Sequence, residues 1–337
     1  MTTTLPASLN RARELVWPAL RAAVDSLAPD IRPLAAYHFG WAEADGTPTE
    51  SGGGKAVRPA LALASAAAAG AALEVGVDGA VGVELVHNFS LLHDDIMDRD
   101  QERHHRPTAW TIFGEARAIL AGDALANLST QVLLRPATEE RMRAAALLVD
   151  ATARMIAGQS EDMAREGRLD VSIEECTAMH AAKTGALLSC SSSIGAVLAG
   201  AGDEIVGPLA TFGIQLGIAF QAVDDQLGIW GRPELTGKPT WNDLRQRKSS
   251  LPVVAALEQR SAESARLREL LSNPDLTEAE IAEAAGLVEA CGGRRYAAEE
   301  AERRLELALR ELERAPIDPE AGHELSELAR FIVEREF

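Results

Sequence analysis

Apolar residues recur at three- and four-residue intervals along nearly the whole chain, and no segment sustains the period-two alternation of a half-buried strand. The spacing predicts helices over about 9–27 and 31–41, another beginning in "VRPALALASAAAAGAA", and a long one over 77–97. Further helical patterns cover roughly 112–134, 138–165, 172–200 and 204–229. Two polar stretches rich in turn-forming residues interrupt them, "DGTPTESGGGK" (45–55) and "GRPELTGKPTWNDLRQRKSS" (231–250). A loop as long as the second, inside a helical protein, points to function. From Leu251 the chain returns to helices, including the charged "RRYAAEEAERRLELALRELERA", which reads as a solvated face with i,i+4 ion pairs. The expectation is one all-α domain over residues 1–337, a helical bundle around a central cavity, with 1–10 flexible.

Composition narrows the classes. The 337 residues are 47% hydrophobic and 25% charged, the balance of an ordinary globular chain, with few aromatics and much alanine. A net charge of −18 argues against a nucleic-acid partner, which would call for a basic face. The three cysteines, Cys176, Cys190 and Cys291, are too far apart for a disulfide framework or a zinc motif. They suit buried thiols in a reducing compartment, and the expected location is the cytoplasm. The start, "MTTTLPASLN", has neither the basic nor the apolar region of a signal peptide. The apolar runs are broken by Gly, Ser, His or Glu, so no membrane span is expected.

The chemistry lies in two acidic clusters. In "HNFSLLHDDIMDRD" (87–100), Asp94 and Asp98 are spaced i,i+4 and share a helix face, with Asp95 beside them. In "FQAVDDQLGIWG" (220–231), Asp224 and Asp225 close the run "LATFGIQLGIAF". Like charges at the ends of apolar helices repel, and a divalent cation relieves the conflict. Carboxylate oxygens without thiolates suit Mg²⁺, which takes one or two carboxylates plus substrate phosphates. The bland alternative is a solvated helix end. Two such pairs could converge on one cavity. A diphosphate there would call for cations, and Lys55, Arg58, Arg103, Arg106 and Lys238 all lie in loop-like stretches. Lys183, alone in "MHAAKTGALLS", is a costly charge without a partner.

The ordered series "GGKAVRP", "ELVHNFSLLHDDIMD", "RPT", "FGEARAILAGDAL", "GQSED", "KTGALL", "FQAVDDQLGIWG" and "TGKPTWNDLRQRKSSLPV" resembles the trans-isoprenyl (polyprenyl) diphosphate synthases of the class I isoprenoid synthase superfamily. The resemblance implies condensation of isopentenyl diphosphate with an allylic diphosphate, three Mg²⁺ ions and a homodimer. By its motifs, Asp94 and Asp98 would ligate two ions and Asp224 the third, with Asp95 and Asp225 in support. Arg103, Lys183 and Lys238 would bind the allylic diphosphate, and Lys55, Arg58 and His87 that of isopentenyl diphosphate. Gln221 and Thr184 would line the reacting centre.

Departures from the family pattern are informative. Ala56 and His104 stand where arginines are common, so His104, His105 or Arg106 would help hold isopentenyl diphosphate, and affinity should fall as pH rises through the titration of His104. Phe89, with no insertion in the acidic motif, resembles the geranylgeranyl-forming pattern of bacterial enzymes, the alternative being a plain core residue. Gly228 lacks the acid common one turn beyond Asp224, and Gly228→Asp is expected to leave metal dependence unchanged. Two rivals are a class I terpene cyclase and a non-catalytic regulatory subunit. Gly228 and Arg232 miss the hydroxyl and glutamate of the cyclase triad, and the intact acidic pairs disfavour the subunit.

Overall fold

The run "GAVGVELV" (79–86) is buried without a break and forms the middle of α4 (Val77–Met97). A helix buried on all sides needs neighbours on all sides. They include α1 (Ala7–Asp25), α3 (Val57–Ala68) and α6 (Glu115–Leu133). The computed structural model describes residues 6–49, 54–103, 106–233 and 239–334. Among these, helices dominate, as the spacing predicts. The strands among them are β1 (Glu102–Arg103) and β2 (Arg106–Pro107), antiparallel, with Arg103 opposite Arg106.

Two compact units can be distinguished. The first comprises 1–152, 189–210 and 312–328. It contains α2 (Arg32–His38), α5 (Ala109–Phe113) and α10 (Ile194–Leu198) beside the helices above. Small residues let its helices approach closely. A Cβ on Gly195 would lie 2.1 Å from Ala62 O, and the Gly195 N–H donates to Ser65 Oγ at 3.0 Å.

The second unit comprises 153–188, 211–311 and 329–337. Its core includes Ile229, Leu244, Val253, Leu267, Ile281 and Val288. It holds the C-terminal half of α7 (Glu139–Arg165), then α8 (Ile173–His180) and most of α11 (Asp203–Trp230). The short α12 (Asn242–Arg245), α13 (Leu251–Leu257), α14 (Ala262–Leu271), α15 (Glu278–Ala290) and nearly all of α16 (Gly293–Arg314) follow. Capping boxes start α8 at Ser172 with Glu175 and α15 at Thr277 with Glu280.

Two expectations change. The single helix expected over 172–200 is broken into α8, a π-helical turn (Ala181–Gly185), α9 (Ala186–Ser191) and α10. The break at Ser192–Ser193 coincides with the Ser193 hydroxyl donating to Ser189 O at 2.8 Å, a local bond that competes with the helix. The helix expected over 112–134 starts only after Gly114, whose φ of 90° no helix accommodates. Separately, α11 is by length and composition apolar enough to cross a membrane, with mean hydropathy 1.4 over 18 residues. Only 44% of that window is buried, and the same helix carries the buried polar residues Asp225 and Gln226.

Candidate functional site

The first acidic cluster sits at the C-terminal end of α4. The Asp98 N–H donates to Asp94 O at 2.8 Å, so the two carboxylates stand one turn apart. That last turn contains no basic residue. Carboxylates at the negative pole of a helix raise its energy, and a cation there lowers it. Asp95 differs from its neighbours. It is 2% exposed, and its Oδ1 accepts from Arg103 Nε at 2.8 Å and pairs with the guanidinium Nη2 at 2.7 Å. Asp94 and Asp98 remain partly exposed, one accessible side on an acidic helix end. The chain then turns through Arg99, whose φ of 57° is unusual for a bulky residue, and Asp100 O accepts from Thr108 Oγ1 and Trp110 Nε1.

Ala56 and Arg58 bracket the start of α3. Ala56 is buried in a left-handed conformation, φ 59°, so the position where the family pattern has arginine is here an interior methyl. Lys55 is exposed and Arg58 partly buried. Burial pushes the Glu84 carboxyl up, against the opposing charge of Arg58 and a hydrogen bond from Asn88 Nδ2 at 3.2 Å. His87 lies two turns before Asp94 on α4. Arg106, expected to help hold a diphosphate, is committed elsewhere: it stacks 4.6 Å from the Tyr37 ring and donates to Ala42 O and Glu43. Phe89 is buried edge-on against His93, with ring centroids 5.0 Å apart. His104 and Lys238 lie outside the described residues.

The second cluster repeats the division seen in the first. Asp224 is exposed and Asp225 buried on the same helix. Asp225 Oδ2 accepts from the Leu251 N–H at 2.7 Å and lies 3.3 Å from His180 Nε2, while Oδ1 accepts from Gln221 Nε2 at 3.1 Å. Burial alone would raise the Asp225 carboxyl; the His180 imidazole and these hydrogen bonds outweigh it and hold it below the usual carboxylate range. Gln221 Oε1 accepts in turn from Thr184 Oγ1 at 2.8 Å.

Lys183 and Thr184 occupy the π turn, a device often found at functional sites. Two glycines hold it. A Cβ on Gly158 of α7 would lie 2.3 Å from Lys183 N, and one on Gly217 of α11 would lie 2.4 Å from Gly185 Cα. Lys183 Nζ pairs with Asp162 Oδ2 at 2.5 Å, which answers the cost of a charge in an apolar run. Asp162, His180 and the two glycines were not singled out from the sequence. The signals were a second acid in "GQSED" and a lone histidine three residues before Lys183.

Gly228 has a specific neighbour. A Cβ there would lie 2.1 Å from Asp243 Oδ2 and 2.4 Å from Cγ, so a carboxylate already stands one turn beyond Asp224. Asp243 is carried by α12, which is flanked by Trp241 (φ 63°) and Arg247 (φ 53°). Gly228→Asp would therefore drive one carboxylate into another, a packing cost separate from the expectation that metal dependence is unchanged. Cys176, His180 and Asp225 form, among the described residues, the one group of three side chains whose ligand atoms lie within 4.8 Å of one another. Its mixed sulfur, nitrogen and oxygen donors do not suit Mg²⁺, whereas Asp94, Asp98 and Asp224 offer hard oxygens.

A sequence model described as polyprenyl synthetase matches residues 47–288. A (2E,6E)-farnesyl diphosphate synthase of Mycobacterium tuberculosis is 44% identical over 99% of this chain and 94% of its own length. A geranylgeranyl diphosphate synthase of the same organism is 40% identical over 98% and 94%. The crystal structure of a polyprenyl synthetase from Streptomyces coelicolor A3(2) superposes with a TM-score of 0.93 at 52% identity, covering 98% of this chain and 100% of that one.

Proposed function

The chain belongs to the polyprenyl synthetase family and is a short-chain trans-prenyl diphosphate synthase, a prenyltransferase; from that premise we propose that it condenses isopentenyl diphosphate with an allylic diphosphate to give geranylgeranyl diphosphate and pyrophosphate. The observation that supports this most is the division of each acidic pair. One aspartate is held inside by hydrogen bonds and the other, on the same helix, is accessible. Asp94, Asp98 and Asp224 would hold Mg²⁺, three ions in all, with Asp95 and Asp225 bracing these ligands. Bound there, Mg²⁺ supplies the positive charge that stabilises a departing diphosphate.

Arg103, Lys183 and Lys238 bind the allylic diphosphate. Lys55, Arg58 and His87, with His104, hold isopentenyl diphosphate. Thr184 and Gln221 border the allylic carbons, whose apolar surroundings exclude water. The alkene of isopentenyl diphosphate then attacks, and the released pyrophosphate takes the proton. The whole chain acts as one catalytic domain. Three free cysteines suit a cytoplasmic enzyme.

Phe89 supports the twenty-carbon product. It lies five residues before Asp94, about 7.5 Å along the helix axis, with its ring packed on His93. The farnesyl name of the 44% identical relative favours a shorter product, so chain length is measured directly. Purified protein with Mg²⁺ and isopentenyl diphosphate is given dimethylallyl, geranyl or farnesyl diphosphate, and products are read by mass spectrometry. Geranylgeranyl diphosphate is expected, and Phe89→Ala should lengthen it. Farnesyl diphosphate as the end product would overturn the length; hydrocarbon from geranylgeranyl diphosphate alone would mean a cyclase.

Two copies associate along α7. Met142, Val149, Ile156 and Met163 recur every seven residues and are 50%, 52%, 51% and 44% exposed, an apolar seam suited to a second copy. Val149→Glu with Ile156→Glu should give a monomer in sedimentation, and an unchanged dimer would place the interface elsewhere.

A further inference from the structure

Hydrogen-bond polarity can be traced through the second unit without a gap. The Leu251 N–H is an obligate donor, and it donates to Asp225 Oδ2 at 2.7 Å. His180 Nε2 approaches the same oxygen at 3.3 Å. Oδ1 is left to accept from the Gln221 carboxamide, which must therefore turn its NH₂ inward. That choice turns Gln221 Oε1 toward Thr184, and the Thr184 hydroxyl must donate to it at 2.8 Å. A hydroxyl has one proton. Once donated to Gln221, it leaves Thr184 presenting only lone pairs on its other side.

We propose that His180 is a positioning residue for prenyl transfer: acting through Asp225, it fixes the direction of the Gln221 carboxamide and so makes Thr184 an acceptor toward the substrate. The assignment rests on the reading of Thr184 and Gln221 as residues of the transferase site. A glutamine amide is nearly symmetrical in shape, so packing alone selects neither orientation; the donors that fill Asp225 do. His180 is 1% exposed and cannot be satisfied by water. The Cys176 thiol, donating to Ser249 O at 3.6 Å, packs 3.7 Å from His180 Nε2 and confines the ring.

A transition metal on Cys176, His180 and Asp225 is the competing account of the same three residues. Metal-bound histidines almost always donate their second ring nitrogen to a partner. His180 Nδ1 is buried with no hydrogen-bond partner among the described residues, and both Asp225 oxygens already accept from ordinary donors. A hydrogen-bonded strut fits these facts and a metal centre does not.

The test compares His180→Phe, which keeps a ring and removes the donor, with Asp225→Asn, whose amide lets Gln221 turn over. Each should lower kcat on the order of tenfold; in His180→Phe, KM for both diphosphates should stay within about twofold, because His180 is not among the residues assigned to the diphosphates or the metal. His180→Asn, which restores a donor, should recover part of the loss. In a cycle with Thr184→Val, the second change should cost less than about twofold beyond the first, since both break one chain. Wild-type kcat in His180→Phe, additive losses in the cycle, KM rising in step with the loss of kcat, or one zinc per purified chain would each overturn the assignment. If His180→Phe does not fold, the Asp225→Asn cycle decides. Failure of the wild-type protein to extend any allylic diphosphate would instead refute the proposed reaction.

Discussion

Gly158→Ala places a methyl where the structure has no space for one. The new Cβ would stand 2.3 Å from Lys183 N, 2.7 Å from its Cα and 2.8 Å from Ala182 C. Non-bonded carbon contacts begin near 3.5 Å, so α7 and the π turn must part by about 1 Å. These neighbours are backbone atoms, so no side chain can swing aside. Overpacking of this kind costs about 1–3 kcal/mol, of which helix propensity returns about 1 kcal/mol. The net loss of stability is then about 0–2 kcal/mol. The effect on turnover is larger, because displacing Lys183 and Thr184 by about 1 Å can lower kcat about a hundredfold. Gly286→Ala is the control. Gly286 is exposed inside α15, and no atom lies within 4 Å of the position its methyl would take. That change should stabilise by about 1 kcal/mol with kcat intact. Urea denaturation and steady-state kinetics on the two variants separate propensity from packing. If Gly158→Ala shifts the urea midpoint upward as Gly286→Ala does, and keeps wild-type kcat, the close approach has no bearing on catalysis.

Other expectations follow from charge and burial. Burial pushes the Cys190 thiol far above its ordinary value, and Cys176 is also buried, so an aromatic disulfide reagent should titrate Cys291 alone in the native protein and all three in urea; two fast thiols in the native state would contradict this. Burial raises the Glu84 carboxyl above its ordinary 4.5 despite Arg58 and Asn88, so its contribution to stability is full below that pH and lost as pH rises through the raised value. Glu84→Gln should flatten the decline of stability as pH rises above 4.5, and a profile parallel to wild type would count against it. Asp98→Asn removes a charge from the negative pole of α4 and should stabilise the metal-free protein by about 0.3–1 kcal/mol, while abolishing Mg²⁺-dependent turnover; a lower melting temperature without metal would refute the helix-end argument.

The helical class was legible because periodicity is a local property, and α4 begins and ends where the spacing puts it. The acidic residues were legible for the same reason: a four-residue interval on a helix is a statement about one face. What separates Asp224 from Asp225 was not legible. Adjacent residues of one chemical type part company only through the Leu251 N–H and His180, which are distant in sequence. The π turn was hidden as well, since "AAKTG" carries no helix-breaking residue before its glycine, and the glycines that hold it lie on two other helices. At Gly228 the missing acid read as a weakened motif, whereas in space Asp243 fills the position.

The contact of Gly158 with Lys183 brings main chain against main chain, and this limits how the protein can evolve. Side-chain contacts are adjustable in steps of a methyl group, so lineages can explore them gradually. A contact made by two backbones offers no such steps: the only substitution at Gly158 is a larger residue. The placement of Lys183 and Thr184 is thereby insulated from gradual change. Diversification must come instead from positions with a graded choice of side chain, such as Phe89, where volume varies without moving the backbone that carries Lys183 and Thr184.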